Sequence, residues 1–88
     1  MNVRFKSSFA KDLRRVPQQV LLSRVRGLIE QIERTQSLEE VVNLKKLRGS
    51  GPYYRIRVGD YRVGLIVQGN EVTFVRFLHR REIYRYFP

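Results

Sequence analysis

Between Tyr53 and Val63 the chain reads Tyr-Tyr-Arg-Ile-Arg-Val-Gly-Asp-Tyr-Arg-Val, with apolar and cationic residues alternating at the two-residue period of a β-strand. A helix would scatter these side chains around its circumference, whereas a strand sorts them onto two faces. With Tyr54, Ile56 and Val58 toward a core, Arg55 and Arg57 project together from the opposite side. The segment therefore presents guanidinium groups from a rigid sheet, an arrangement suited to holding phosphates.

The same period continues downstream. Gly59-Asp60 turns strand 53–58 into strand 61–68, and Gly69-Asn70 turns again into strand 71–78, giving a three-stranded antiparallel meander. The first half of the chain is patterned differently. Asn2–Lys6 alternates weakly and is read as a short strand. Ser7 or Ser8 offers an N-cap for a helix carrying Phe9, Leu13 and Val16 on one face. Pro17 fits the first turn of a second helix, whose Leu21, Val25, Leu28, Ile29 and Ile32 form a stripe at helical spacing. Ser37 with Glu40 forms a capping-box pattern opening one further helical turn. The expected order is β-α-α-β-β-β with a short C-terminal element. This is an α+β fold in which a small antiparallel sheet carries two helices.

Eighty-eight residues make one domain, residues 1–88, that buries only about 60% of its unfolded surface. Cysteine is absent and histidine occurs once, so neither disulfides nor the usual zinc cages can reinforce the core. Eighteen Lys and Arg face eight Asp and Glu, a net charge of +10, and most of the cations are Arg. Residues 1–44 carry eight basic and five acidic residues (+3), and residues 45–88 carry ten and three (+7). Nucleic acid is the leading partner class and an acidic protein the second. A membrane surface is disfavoured, since no basic amphipathic helix with a free apolar face stands out. Residues 1–9 lack the apolar run of a signal peptide, and a cytoplasmic location is expected.

Four segments, taken in order, resemble the RelE/ParE superfamily of bacterial toxin–antitoxin toxins, and its RelE-type branch in particular. They are Phe9-Ala10-Lys11-Asp12-Leu13, Lys46-Leu47-Arg48-Gly49, Tyr54 through Val63, and His79-Arg80-Arg81-Glu82-Ile83-Tyr84. The resemblance covers essentially the whole chain. It implies a small twisted antiparallel sheet with two helices on one face. It also implies a ribosome-dependent endoribonuclease that cuts messenger RNA in the A site without a metal or other cofactor. The 2′-hydroxyl attacks the adjacent phosphate, leaving a 2′,3′-cyclic phosphate and a free 5′-hydroxyl. An acidic, RelB-like antitoxin is the implied partner, so the chain is expected as a monomer or in a toxin–antitoxin hetero-oligomer. ParE-type members share the fold but inhibit DNA gyrase and are not nucleases, so fold alone does not decide the activity.

The family's basic hairpin positions fall here at Arg55, Arg57 and Arg62, joined by Arg80 and Tyr84 from the closing motif. Arg62 and Arg80 are the candidates for clamping the scissile phosphate; the alternative is that each is solvated or pairs with Asp60 or Glu82. Arg55 and Arg57 stand where lysines are often found, and a guanidinium, never usefully deprotonated, orients and stabilises an anion rather than acting as a base. Tyr84 can protonate the leaving oxygen or stack on a base, with Tyr86 and Phe87 left to anchor the C-terminal element. His79 and Glu82 are the candidate bases, and the resemblance does not choose between them. Lys45, Lys46, Arg48 and Arg81 are candidate contacts to RNA phosphates. Two other readings stay open at this point: a ParE-like inhibitor of gyrase, and a basic RNA-binding module without catalysis.

Overall fold

The computed structural model describes residues 1–47, 49 and 51–88. Its elements run β1 (Asn2–Phe5), α1 (Ser7–Arg14), α2 (Gln19–Arg34), a 3₁₀ turn (Leu38–Glu40), β2 (Leu44–Lys46), β3 (Tyr53–Val58), β4 (Tyr61–Gln68), β5 (Glu71–His79) and α3 (Ile83–Tyr86). The strands form one sheet in the order β1-β5-β4-β3-β2. The meander β3-β4-β5 is antiparallel as its period indicates. Gly59 and Gly69 open its two turns at φ of 60° and 59°, a conformation that glycine enters without the steric cost of a Cβ.

Two strands go beyond the expected meander. β1 joins the edge parallel to β5, pairing Asn2–Phe5 with Glu71–Phe74, so the sheet is mixed rather than wholly antiparallel. A helical crossover between distant strands favours this direction, and nothing local to residues 2–5 encodes it. On the far edge Leu44–Lys46, a strand outside the expected meander, pairs with Ile56–Tyr54. Three residues are too few to display a period.

α1 and α2 pack on one face. Phe9, Val16, Val25 and Ile32 meet Ile56, Val58, Val63, Leu65, Val67, Val72, Phe74 and Phe77 from the sheet. The expected stripe of α2 supplies this contact, with Leu21, Leu28 and Ile29 half-buried around it. Two local expectations differ. The N-cap of α1 is Lys6, with Ser7 already helical, and Ser8 Oγ donates instead to the Val75 carbonyl at 2.6 Å. Pro17 lies in the joint, two residues before α2 begins. The Ser37–Glu40 box is present: the Glu40 carboxylate accepts the Ser37 N–H at 3.2 Å.

A bulge shapes β5. The register passes from Gly64↔Arg76 to Leu65↔Phe74 and leaves Val75 without a partner on β4. Val72 and Phe74 face the helices before it, and Phe77 does so after it, which breaks the simple alternation of this strand. β1 covers the β5 edge only as far as Phe74, and α1 completes the cover with side chains. Ser8 satisfies the Val75 carbonyl, and Asp12 Oδ2 accepts the Phe77 N–H at 2.9 Å. The same carboxylate receives Arg76 Nε at 2.7 Å and Nη2 at 3.0 Å. Only 4% of Asp12 is exposed, so a buried charge is stabilised here by three donors, two of them from one guanidinium fork. Among the described residues no helix is long and apolar enough to cross a membrane.

Candidate functional site

The face of the sheet away from α1 and α2 carries the cations. The register sets them in two adjacent rows: Lys45, Arg55, Gly64 and Arg76 across β2 to β5, then Arg57, Arg62 and Leu78 across β3 to β5. Strand alternation puts Ile56, Val58 and Val63 in the core, which obliges their neighbours to share the other side. Residues 83–88 fold back over this face. Phe87 is buried against Gly64, while Tyr84 stands 70% exposed beside Arg55.

Arg55 Nη1 donates to the Tyr84 hydroxyl, and the Arg55 guanidinium lies 4.8 Å from the Tyr84 ring centroid. This hydrogen bond, reinforced by the charges of Arg55, Lys45 and Arg62, pulls the Tyr84 phenol below the ordinary tyrosine value. Because Oη accepts from Arg55, its own hydrogen is free to point outward. Arg62 Nη1 donates to the carbonyls of Gly59 (3.1 Å) and Tyr61 (2.9 Å), folding its side chain over the β3–β4 turn. Burial, then the nearby charges of Arg57, Arg55 and Arg80, lower the Arg62 guanidinium from its usual value. Arg80 is held close by its backbone, whose N–H donates to the Asp60 carbonyl at 2.8 Å.

No carboxylate relieves this crowding. Among the described residues the ion pairs within 4 Å are Arg4–Glu71 and Arg76–Asp12, and neither involves the cluster. Arg62 in particular contacts carbonyls rather than Asp60 or Glu82. Arg62 thus carries the repulsion of three neighbouring guanidiniums, and among the described residues no carboxylate pairs with them, an electrostatic setting that favours an anion. Beside them lies a cleft of about 540 Å³ lined by Lys45, Lys46, Leu47, Arg55, Tyr84, Phe87 and Pro88. Among the described residues no three His, Cys, Asp or Glu side chains gather to hold a metal ion.

The structure thus brings Arg55, Arg57, Arg62, Arg80 and Tyr84 together, and Lys45 with them. It does not bring His79. In the register His79 opposes Tyr61, which stacks on the core residue Phe77, so His79 belongs to the helix-bearing face. Its ring meets Tyr61 edge-on at 5.6 Å, and its Nδ1 accepts the Arg81 N–H at 3.2 Å. The imidazole stands across the sheet from the guanidiniums. Lys46 opposes Tyr54 in the register and borders the cleft. Arg81 is exposed on the turn after β5, Glu82 caps α3, and Arg48 lies outside the described residues. Sequence reasoning passed over Gly64 as part of the site; a glycine inside a strand is itself a signal of close backbone approach.

A helix-backed sheet whose open face gathers Arg55, Arg57, Arg62 and Arg80 beside an exposed Tyr84 defines a small basic α+β domain. The family described as ParE toxin of type II toxin-antitoxin system, parDE, matches residues 3–84. Toxin RelE3 of Methanocaldococcus jannaschii is 44% identical over an alignment spanning all of both chains. Among solved structures, a chain of the RelB-RelE antitoxin-toxin complex from Methanococcus jannaschii is 42% identical. It superposes with a TM-score of 0.82 over 97% of this chain and 99% of that one. A chain of the archaeal RelE-RelB complex from Pyrococcus horikoshii is 25% identical, with a TM-score of 0.73 over 90% and 93%. The chain belongs to the RelE/ParE superfamily of type II toxin–antitoxin toxins.

Proposed function

We propose that this toxin is a RelE-type endoribonuclease that cuts messenger RNA in the ribosomal A site. The observation that carries the reading is the cluster of Arg55, Arg57, Arg62 and Arg80 around an exposed Tyr84 hydroxyl, with no carboxylate paired to it. In the proposed reaction the 2′-oxygen forms a bond to phosphorus and the bond to the 5′-oxygen breaks. Arg62 and Arg80 hold the non-bridging oxygens, whose charge grows in the transition state. Arg57 adds cationic field, and Tyr84 gives its outward proton to the departing 5′-oxygen. No step calls for a metal. With His79 on the other face and Glu82 at the start of α3, the residues gathered in the cluster include neither a histidine nor a carboxylate. The 2′ proton passes to an acceptor outside this cluster, Glu82 or a group of the bound RNA complex.

The similarity to proteins solved with RelB supports a RelB-like antitoxin as partner. An acidic chain laid on the same cations would block the RNA. Induced expression in cells, with messenger 5′ ends mapped, tests the reading. New 5′-hydroxyl ends within codons, matched by upstream cyclic-phosphate ends, are expected as translation stops. The match to the ParE family favours a second reading, inhibition of gyrase. Gyrase-linked DNA breaks with continuing protein synthesis would select it over the nuclease.

The acid role carries a pH signature. A proton donor must be protonated, so cleavage falls as pH rises through the Tyr84 pKa. The Arg55 hydrogen bond lowers that pKa, so the alkaline limb sits below the ordinary tyrosine value of about 10. In single-turnover cleavage on programmed ribosomes, Arg55→Gln is expected to move the limb upward. Tyr84→Phe is expected to remove it and slow cleavage by about 10²-fold.

A further inference from the structure

We propose that Phe87, seated over Gly64, is the residue that positions the Tyr84 hydroxyl against Arg55, an inference that rests on Tyr84 being the proton donor. α3 is four residues long, far too short to hold its shape alone, so the place of Tyr84 depends on what fastens the segment to the sheet. Ile83 and Phe87, one turn apart, are buried, and the Phe87 N–H donates to the Ile83 carbonyl at 2.9 Å. Tyr84 lies between them in sequence and points outward.

The seat for Phe87 exists because residue 64 has no side chain. A Cβ at Gly64 would lie 2.8 to 2.9 Å from three carbons of the Phe87 ring, a separation that forces the ring away. Gly64 is flanked in the register by Arg55 on β3 and Arg76 on β5. The ring therefore fills a gap between two arginines, one carrying Tyr84 and the other locked to Asp12. Tyr53 closes the seat edge-on, with ring centroids 5.8 Å apart, and Tyr86 lies 5.5 Å from the Arg76 guanidinium. Phe87 also forms a wall of the cleft beside Lys45 and Arg55. An apolar anchor over a glycine gap thus brings a catalytic phenol to an otherwise polar face.

Gly64→Ala and Phe87→Ala disturb this contact from opposite sides. Each is made in the full chain, checked for folding by circular dichroism, and followed by NMR of the tyrosine Cζ carbons, with Tyr84 assigned by the signal lost in Tyr84→Phe. Both variants are expected to raise the Tyr84 titration midpoint toward that of a free tyrosine. Both should slow cleavage by about 10²-fold at little change in KM, the cost of a small misplacement. The double variant should be no worse than either alone, since the added methyl has nothing to strike once the ring is gone. Phe87→Leu, which refills the seat, should restore most of both signals. A folded Gly64→Ala or Phe87→Ala with an unmoved Tyr84 midpoint overturns the proposal, as does a moved midpoint with cleavage at the wild-type rate. If the midpoint moves but the wild-type chain cuts no RNA, the positioning contact stands and the nuclease reading is what fails.

Discussion

Arg62→Ala is expected to slow messenger cleavage by about 10²–10³-fold while the chain stays folded. The magnitude is that of deleting one preorganised donor aimed at developing oxyanion charge. Folding survives because Arg62 is held only by two turn carbonyls, bonds contributing about 1 kcal/mol each, and its removal relieves repulsion with Arg57, Arg55 and Arg80. Arg62→Lys should recover only part of the rate, since an ammonium restores charge but not the planar fork. Arg85→Ala, an exposed cation on α3, is the control for charge alone and should cut near the wild-type rate. Single-turnover cleavage with a thermal melt of each variant makes the comparison. An Arg62→Ala chain that cuts at the wild-type rate removes Arg62 from the phosphate clamp.

Asp12→Ala is expected to cost about 3 kcal/mol of stability, the larger of the two structural losses on the β5 edge. It strands the Arg76 guanidinium and the Phe77 N–H together, three donors losing one acceptor group. Ser8→Ala removes a single hydrogen bond to the Val75 carbonyl and should cost about 1 kcal/mol. Urea titrations with an unchanged slope would show both as native-state losses. Removing both partners, Asp12→Leu with Arg76→Met, should recover part of the loss because no charge is left unpaired. A Asp12→Ala chain as stable as wild type would mean that water replaces the carboxylate and that the edge is not locked by it.

The parts of the fold that were legible in sequence are those with a local period. Residues 53–68 declare two strands because Ile56, Val58 and Val63 alternate with Arg55, Arg57 and Arg62, and the arginine face follows from the same arithmetic. Leu21 through Ile32 declare a helix for the equivalent reason. The pairing direction of β1, the three-residue β2 and the bulge at Val75 are settled by partners distant in the chain. His79 was a candidate base on residue type alone; the bulge, which skips one residue of β5, is what sets it on the helix side. The Asp12 carboxylate was visible as part of a helix motif, but its partners stand 64 and 65 residues away.

By itself the sequence determined that this protein is a small, basic α+β toxin-family domain whose sheet presents Arg55, Arg57 and Arg62 on one side. Alternation and charge are properties of neighbouring residues, and neighbours are what a sequence records. Tertiary structure decided which of the remaining candidates reach those arginines: Tyr84 and Arg80 do, and His79 does not. For Tyr84 that decision rests on contacts between the last residues and the middle of β4, for Arg80 on its N–H to the Asp60 carbonyl, and for His79 on the skipped residue of β5. Phe87 finds its seat on Gly64 only after the sheet has formed, and the Tyr84 hydroxyl meets Arg55 as a consequence.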